Sequence, residues 1–169
     1  DLHALELALQ TRETYGGTVI ICTMGPPTAT SVLRHALYMG ADEAILLSDK
    51  KFAGADTLAT GYTLASATRK YGGVDIVMCG RQAIDGDTAQ VGPQLADKLG
   101  WSQITYVEEI QELSEGGIKV RNVIEGGYEV AEAPLPVLLT VVGDANTPRP
   151  PGAKRIMKYK KAMTRTELS

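Results

Sequence analysis

The chain has 169 residues, of which 44% are hydrophobic, and carries a net charge of −3. These values are typical of one globular domain, and no apolar run approaches the roughly 20 residues of a membrane helix. His3 and His35 are isolated and the two cysteines are far apart, so we expect no metal site. No Ser/His/Asp set and no Cys–His pair is evident, so we expect no catalytic residues.

Residues 1–99 predict alternating helices and strands. Three almost wholly apolar runs predict buried parallel strands, at residues 18–24, 44–47 and 74–79. Apolar residues at helical spacing predict four helices, at residues 2–13, 28–39, 53–71 and 90–99. This order predicts a doubly wound, mostly parallel α/β sheet of Rossmann-like type with right-handed crossovers.

The two cysteines, Cys22 and Cys79, lie inside the first and third of these apolar runs. We therefore expect both thiols to be buried and reduced. Reduced thiols are typical of a reducing compartment such as the bacterial cytoplasm, which is where we expect the protein.

Beyond Trp101 the pattern changes to alternating apolar and polar residues. Three such segments, separated by Gly-Gly pairs, predict antiparallel strands joined by hairpins, at residues 104–107, 118–123 and 128–130. The next run, Val137 to Val142, is continuously apolar apart from one threonine, so we expect it to return to the core of the sheet.

The end of the chain differs in composition. Three prolines between residues 148 and 151 disfavour regular secondary structure, so the sequence predicts an extended arm. Residues 149–169 carry seven basic groups and one acidic group, but Tyr159 is their only aromatic residue, so we expect no nucleic-acid partner. We therefore divide the chain into an α/β domain, residues 1–145, and a basic C-terminal arm, residues 146–169.

The segment from Gly80 to Pro93, GRQAIDGDTAQVGP, joins the third predicted strand to the next helix. Ligands of open α/β sheets bind beyond the carboxyl ends of strands, and helix N-termini present unpaired N–H groups to phosphates. Asp87, three residues before Gln90, is predicted to be the N-cap, and capping is the plain structural alternative to phosphate binding. Arg81 either neutralises a phosphate or pairs with Asp85, and the sequence leaves both open.

The functional alternative for the same loop is that Thr88, Gln90 and the N–H groups of residues 88–91 hold a phosphate. Neither a G-x-G-x-x-G fingerprint nor a Walker lysine is present. A nucleotide site here is therefore not of the standard dinucleotide type.

Several motifs together resemble the β subunit of electron transfer flavoproteins. They are MGPP (24–27), ALYMGADEAILLSD (36–49), FAGADTLAT (52–60), CGRQAIDGDTAQVGPQLA (79–96) and EGGYE (125–129). The motifs follow the order and spacing of the family over nearly the whole chain. A doubly wound domain usually opens with a strand, whereas this chain opens with a helix, so the resemblance is to a fragment without the N-terminal strand and loop.

The resemblance implies a heterodimer with an α subunit that carries the redox FAD, while this chain binds a second adenine nucleotide. Motif matching assigns that nucleotide to Asp1, Met24, Gly80, Arg81, Gln82, Ala83, Ile84, Asp85, Gly86, Asp87, Thr88, Ala89, Gln90 and Val91. The loop form DGDTAQVGP is similar to that of electron-bifurcating members, whose β subunit binds FAD and takes hydride from NADH. Ferredoxin and an acyl-CoA dehydrogenase-type protein are then the expected redox partners.

Two alternatives remain open at this stage. A simple electron carrier of the same family would bind a structural AMP instead of FAD and take electrons from acyl-CoA dehydrogenases. A nucleotide-binding regulatory domain without a redox role is the alternative from another class of protein. The identity of the bound nucleotide separates all three.

The arm sequence PRPPGAKRIMKYKK (148–161) resembles the family's recognition loop, which docks acyl-CoA dehydrogenases. Family members often place an anchoring leucine where this chain has Ala153. The resemblance therefore implies docking in which Lys154, Arg155 and Lys158 contribute through their charge.

Overall fold

The computed structural model describes residues 1–81 and 89–162. Its strands are β1 (Ile20–Met24), β2 (Glu43–Leu47), β3 (Ile76–Gly80), β4 (Ser102–Ser114), β5 (Gly117–Ile124), β6 (Gly127–Ala133) and β7 (Val137–Val141). Its helices are α1 (Leu2–Tyr15), α2 (Thr30–Met39), α3 (Thr57–Tyr71), α4 (Val91–Leu99) and α5 (Ala153–Tyr159). Short 3₁₀ turns lie at Pro27–Ala29 and Lys50–Phe52.

The sheet topology confirms the α/β fold predicted from the sequence. In the described residues, β1 and β2 form a parallel pair, and the other strands form a five-stranded sheet in the order β3-β7-β4-β5-β6. The β3–β7 and β4–β7 pairs are parallel, whereas β4–β5 and β5–β6 are antiparallel. The predicted hairpins are therefore confirmed, and β7 does return to the core of the sheet, between β3 and β4.

Helices cover both faces of the five-stranded sheet. Neighbouring residues of β7 point to opposite faces and therefore contact different helices. Leu139 packs in a cluster with Ala4 and Leu7 of α1. Leu138, the preceding residue, packs in a second cluster with residues of α3 and α4, including Leu95. Every residue of β7 is buried, as its uninterrupted apolar sequence predicted.

Helix starts and stops follow local chemistry. Asp1 caps α1, since its Oδ1 accepts the Ala4 N–H at 2.8 Å. Asp56 caps α3 in the same way, accepting the Ala59 N–H at 2.8 Å. Gly16 ends α1 with φ +84°, a conformation that costs glycine little because it has no Cβ.

Two predictions about local structure were wrong. Cys22 is exposed rather than buried, because it follows Ile21 in β1 and so faces away from the cluster that Ile21 joins. Within the arm predicted to be extended, Ala153–Tyr159 form helix α5. The prolines end before Gly152, so nothing in this segment prevents a helix.

The start of the arm packs against α1. Arg149 donates from its backbone N–H, Nε and Nη2 to the carboxylate of Glu6, at 2.9–3.1 Å, and its guanidinium also contacts Glu13. Next to this cluster, the Asn146 side chain donates to the His3 carbonyl oxygen at 3.0 Å. Glu6 is only 4% exposed, so the arm closes over a carboxylate that belongs to the core of the molecule.

The second part of the arm packs against the C-terminal end of α2. The Gly152 N–H donates to the Tyr38 carbonyl at 2.9 Å. The Arg155 guanidinium donates to the carbonyls of Leu37 and Ala41. A cation near the last carbonyls of a helix satisfies acceptors that the helix itself leaves open.

None of the helices in the described part of the chain combines the length and the apolar character needed to cross a bilayer.

Candidate functional site

The carboxyl end of β3 brings two of the predicted site residues together. Gly80 is the last residue of β3, and a Cβ placed on it would lie 2.6–2.8 Å from the side chain of Asp1. The carboxylate that caps α1 therefore rests directly on the backbone of Gly80. Only glycine permits this approach without displacing Asp1.

The start of α4 lies against β7, the strand that pairs with β3. The helix begins at Val91 with Gln90 in the N-cap position, so the prediction that Asp87 is the N-cap was wrong. The physical reason is that Ala89 has a φ of +46°, a left-handed conformation that no helical turn contains. By helix geometry, the N–H groups of Val91 and Gly92 have no partner within α4, and Pro93 has none to offer.

Close packing fixes the first turn of α4 on the sheet. A Cβ on Gly92 would lie 2.9 Å from the Thr140 Cγ2 methyl of β7. The Thr140 hydroxyl in turn accepts the backbone N–H of Tyr106 at 3.0 Å. Gln90 lies further out, with its Oε1 3.3 Å from the Thr57 hydroxyl of α3.

Arg81 leaves the end of β3 and packs over the ring of Tyr106, with 5.1 Å between the guanidinium carbon and the ring centroid. Sequence reasoning missed Tyr106 because it lies in β4, 25 positions beyond Arg81, where the pattern predicted an ordinary strand residue. Only its backbone distinguishes it, since its φ of +57° is unusual for an aromatic residue. The pairing of Arg81 with Asp85 lies outside the described residues.

The remaining predicted residues are placed less directly. Met24 ends β1 in the two-stranded sheet, so no strand pairing joins it to Gly80. The rest of the loop lies outside the described residues and consists of Gln82, Ala83, Ile84, Asp85, Gly86, Asp87 and Thr88.

The site offers binding groups rather than reactive ones. Burial raises the pKa of the Cys79 thiol, next to Gly80, to about 11, so this thiol is protonated at neutral pH. Over residues 1–81 and 89–162, no three His, Cys, Asp or Glu side chains converge as metal ligands. What the site presents is a positive helix end, the Arg81 cation and closely packed backbone, which suit an anionic ligand.

In the arm, the predicted docking residues have different surroundings. Ala153 is the first residue of α5, and Lys154 and Lys158 are exposed. Arg155 is bound to the end of α2 and is half-buried. Met157, which sequence reasoning did not single out, is 73% exposed on the same helix.

Comparison with known proteins gives a consistent result. The sequence profile of the electron transfer flavoprotein domain matches residues 1–167. The chain is 53% identical over 149 residues to the electron transfer flavoprotein subunit beta of Clostridium acetobutylicum, which covers 88% of this chain and 57% of that protein.

Two further relatives carry other names. The caffeyl-CoA reductase-Etf complex subunit CarD of Acetobacterium woodii is 54% identical over 150 residues, covering 88% of this chain and 57% of that protein. Protein FixA of Azorhizobium caulinodans is 51% identical over 152 residues, covering 86% of this chain and 54% of that protein. The chain thus spans a little over half the length of these relatives.

Proposed function

Because the chain belongs to the electron transfer flavoprotein family, and within it is similar to β subunits, we propose that it binds an adenine nucleotide at the carboxyl end of β3. The observation that carries this proposal is the contact of Asp1 with Gly80 at the end of β3, followed by Arg81, with the first turn of α4 packed on the neighbouring strand β7. Arg81 and the N-terminus of α4 suit the phosphates of a nucleotide, since a cation and a helix N-terminus both favour negative charge, whereas the Asp1 carboxylate caps α1.

The nucleotide in this proposal is FAD. The loop from Asp85 to Pro93 has the form that resembles electron-bifurcating members, and CarD, a relative by sequence, is named as a subunit of a caffeyl-CoA reductase-Etf complex. When bound, FAD would accept hydride from NADH and pass its electrons onward. The chain's own part is to hold the phosphates, through Arg81 and the first-turn N–H groups of α4, and to keep the ligand fixed against β3.

The proposed partners are an electron transfer flavoprotein α subunit, ferredoxin and an acyl-CoA dehydrogenase-type protein. In this proposal α5 docks the dehydrogenase, with Lys154 and Lys158 supplying charge and Met157 supplying apolar surface. In this proposal Arg155 also holds α5 in place through its contacts with the end of α2. The bacterial relatives and the lack of a cysteine pair support a bacterial cytoplasmic location.

The nucleotide assignment is tested by Gly86→Val in the full-length subunit, co-purified with its α subunit. We expect the variant to lose most of its second nucleotide, because the proposal assigns Gly86 to the phosphate-binding loop, where a β-branched side chain adds bulk. Gly127→Val is the matched control, since a Cβ there meets no atom within 4 Å. Equal nucleotide content in both variants would contradict the assignment.

The docking assignment is tested by replacing Lys154 and Lys158 with alanine while leaving Arg155 in place. We expect slower electron delivery to the dehydrogenase and a weaker salt dependence, because exposed charges steer association. NADH oxidation with an artificial acceptor should be unchanged. Loss of both activities to the same extent would count against the docking role of α5.

A further inference from the structure

Helix α5 is an element that the hydrophobic core does not hold in place. None of its seven residues is buried, and no side chain caps its first turn. A helix of this length does not persist by itself in water, because nucleation costs more than so few hydrogen bonds return. The position of α5 therefore depends on its polar contacts with the neighbouring helix α2.

The start of α5 is fixed to the C-terminal end of α2. The Gly152 N–H, just before the helix, donates to the Tyr38 carbonyl at 2.9 Å. Within the first turn of α5, Arg155 Nε donates to the Leu37 carbonyl at 2.5 Å. By themselves these contacts attach α5 at one end only.

Arg34 supplies the contact at the other end. It lies in the middle of α2, is half-buried, and donates from Nη2 and Nε to the Ala162 carbonyl at 2.8 and 3.2 Å. Ala162 is tied to α5 by a turn, since its N–H donates to the Tyr159 carbonyl at 2.9 Å. A planar guanidinium with two donors on one acceptor restricts direction as well as distance. With both ends fixed, α5 has one orientation on α2.

We propose that Arg34 is a positioning residue for the docking helix α5. By holding Ala162, its guanidinium keeps α5 folded against α2. Lys154, Met157 and Lys158 then form one preformed surface, since they are exposed and lie on one face of the helix at i, i+3 and i+4 spacing. The proposal rests on the proposed function, because it takes α5 to dock the acyl-CoA dehydrogenase-type partner.

A preformed helix affects the apparent affinity for the partner rather than the electron transfer itself. When α5 detaches it unfolds, so only the molecules with α5 attached can dock. The apparent affinity is the intrinsic affinity reduced by that attached fraction. Electron transfer within the docked complex is the same, because every docked molecule has α5 in place. Arg34 should therefore act on the KM for the partner and leave kcat unchanged.

The experiment uses the αβ complex formed with the full-length subunit, and a purified acyl-CoA dehydrogenase as the docking probe. Hydrogen exchange of the amides of residues 156–160 measures the attachment of α5. The rate of electron delivery at increasing dehydrogenase concentration gives KM and kcat. Arg34→Ala removes the contact, and Arg34→Lys keeps a single cationic donor. Arg69→Ala is the matched control, since Arg69 also donates to a backbone carbonyl, that of Lys98, but from α3.

We expect Arg34→Ala to speed exchange in α5 about tenfold, the effect of losing one hydrogen bond to a charged group. The double variant with Arg155→Ala should raise KM about tenfold at unchanged kcat. Arg34→Lys should lie between Arg34→Ala and the unsubstituted protein in both readouts, and Arg69→Ala should change neither.

Three results would overturn the inference: unchanged exchange in Arg34→Ala, unchanged KM in the double variant, or a loss that falls on kcat instead of KM. If the unsubstituted complex delivers no electrons to the dehydrogenase, the proposed docking function fails and the inference falls with it.

Discussion

The contact between Arg149 and Glu6 should be the largest single contribution of the arm to stability. Glu6 is 4% exposed, so Arg149→Ala leaves a buried carboxylate without its guanidinium partner. Breaking a buried ion pair costs about 3–5 kcal/mol, but Gln10 still donates to Glu6 at 2.9 Å and the backbone N–H of residue 149 remains. We therefore expect a loss of about 2–3 kcal/mol in the free energy of unfolding.

This loss should depend on pH in a defined direction. Burial raises the pKa of Glu6, but hydrogen bonds from Arg149 and Gln10 outweigh it and hold the pKa below its usual value. A lowered folded pKa contributes stability above the unfolded pKa, and this is lost as the pH falls through the folded value. In Arg149→Ala, burial is the dominant effect and raises the pKa of Glu6. Protonation of Glu6 at lower pH then removes the buried charge and lessens the loss of stability. The difference between the two proteins should shrink from pH 7 to about pH 4.

The assay is urea denaturation of the full-length subunit at pH 7 and pH 4.5, with Lys154→Ala as the control. Lys154 lies in the same arm and is exposed, so its substitution should change stability by no more than about 0.5 kcal/mol. The double variant with Glu6→Gln should recover part of the loss, because an amide tolerates burial without a cation. If Arg149→Ala matches Lys154→Ala at both pH values, the reasoning about a buried, arm-closed carboxylate is refuted.

Three further outcomes follow from the packing and the thiol chemistry. Gly92→Ala should destabilise the protein by about 1–3 kcal/mol, because its Cβ would lie 2.9 Å from a methyl group of β7. Gly116→Ala should cost little, and thermal denaturation of the two variants measures the difference. Arg155→Ala should lower the melting temperature more than Lys154→Ala, since only Arg155 contacts α2; an equal shift would contradict its anchoring role. Cys79 should resist alkylation by iodoacetamide at pH 8, because a thiol with a pKa of about 11 is then only about one part in a thousand thiolate. Mass spectrometry measures the labelling, and rapid labelling of Cys79 would contradict the prediction.

The elements with strong periodicity could be predicted from the sequence. The continuous apolar run of β7 predicted a buried strand in the core of the sheet, and all five of its residues are buried. Alternation and Gly-Gly pairs predicted the hairpins, although β4 extends over Ser102–Ser114, well beyond the four residues with the clearest pattern. Its first half pairs with β7 and its second half with β5, and such a change of partner leaves no mark on local periodicity.

The features that depend on tertiary contacts could not be predicted. Tyr106 is a typical strand residue in sequence, and its place in the register shift beside Thr140, beneath the Arg81 guanidinium, depends on tertiary contacts. Cys22 and Cys79 occupy equally apolar runs, yet Cys22 faces away from the cluster that Ile21 joins, whereas Cys79 packs against a buried cluster. Arg155 carried the same predicted role as Lys154, and only the position of α2 separates them.

The central claim, that this chain holds FAD beyond β3, is tested most directly by counting bound nucleotides. The αβ complex with the full-length subunit is purified, denatured in acid, and its released nucleotides are quantified by chromatography. Two FAD per αβ pair is the predicted result. One FAD with one AMP would contradict the FAD assignment, and one FAD with no second nucleotide would contradict the nucleotide site itself.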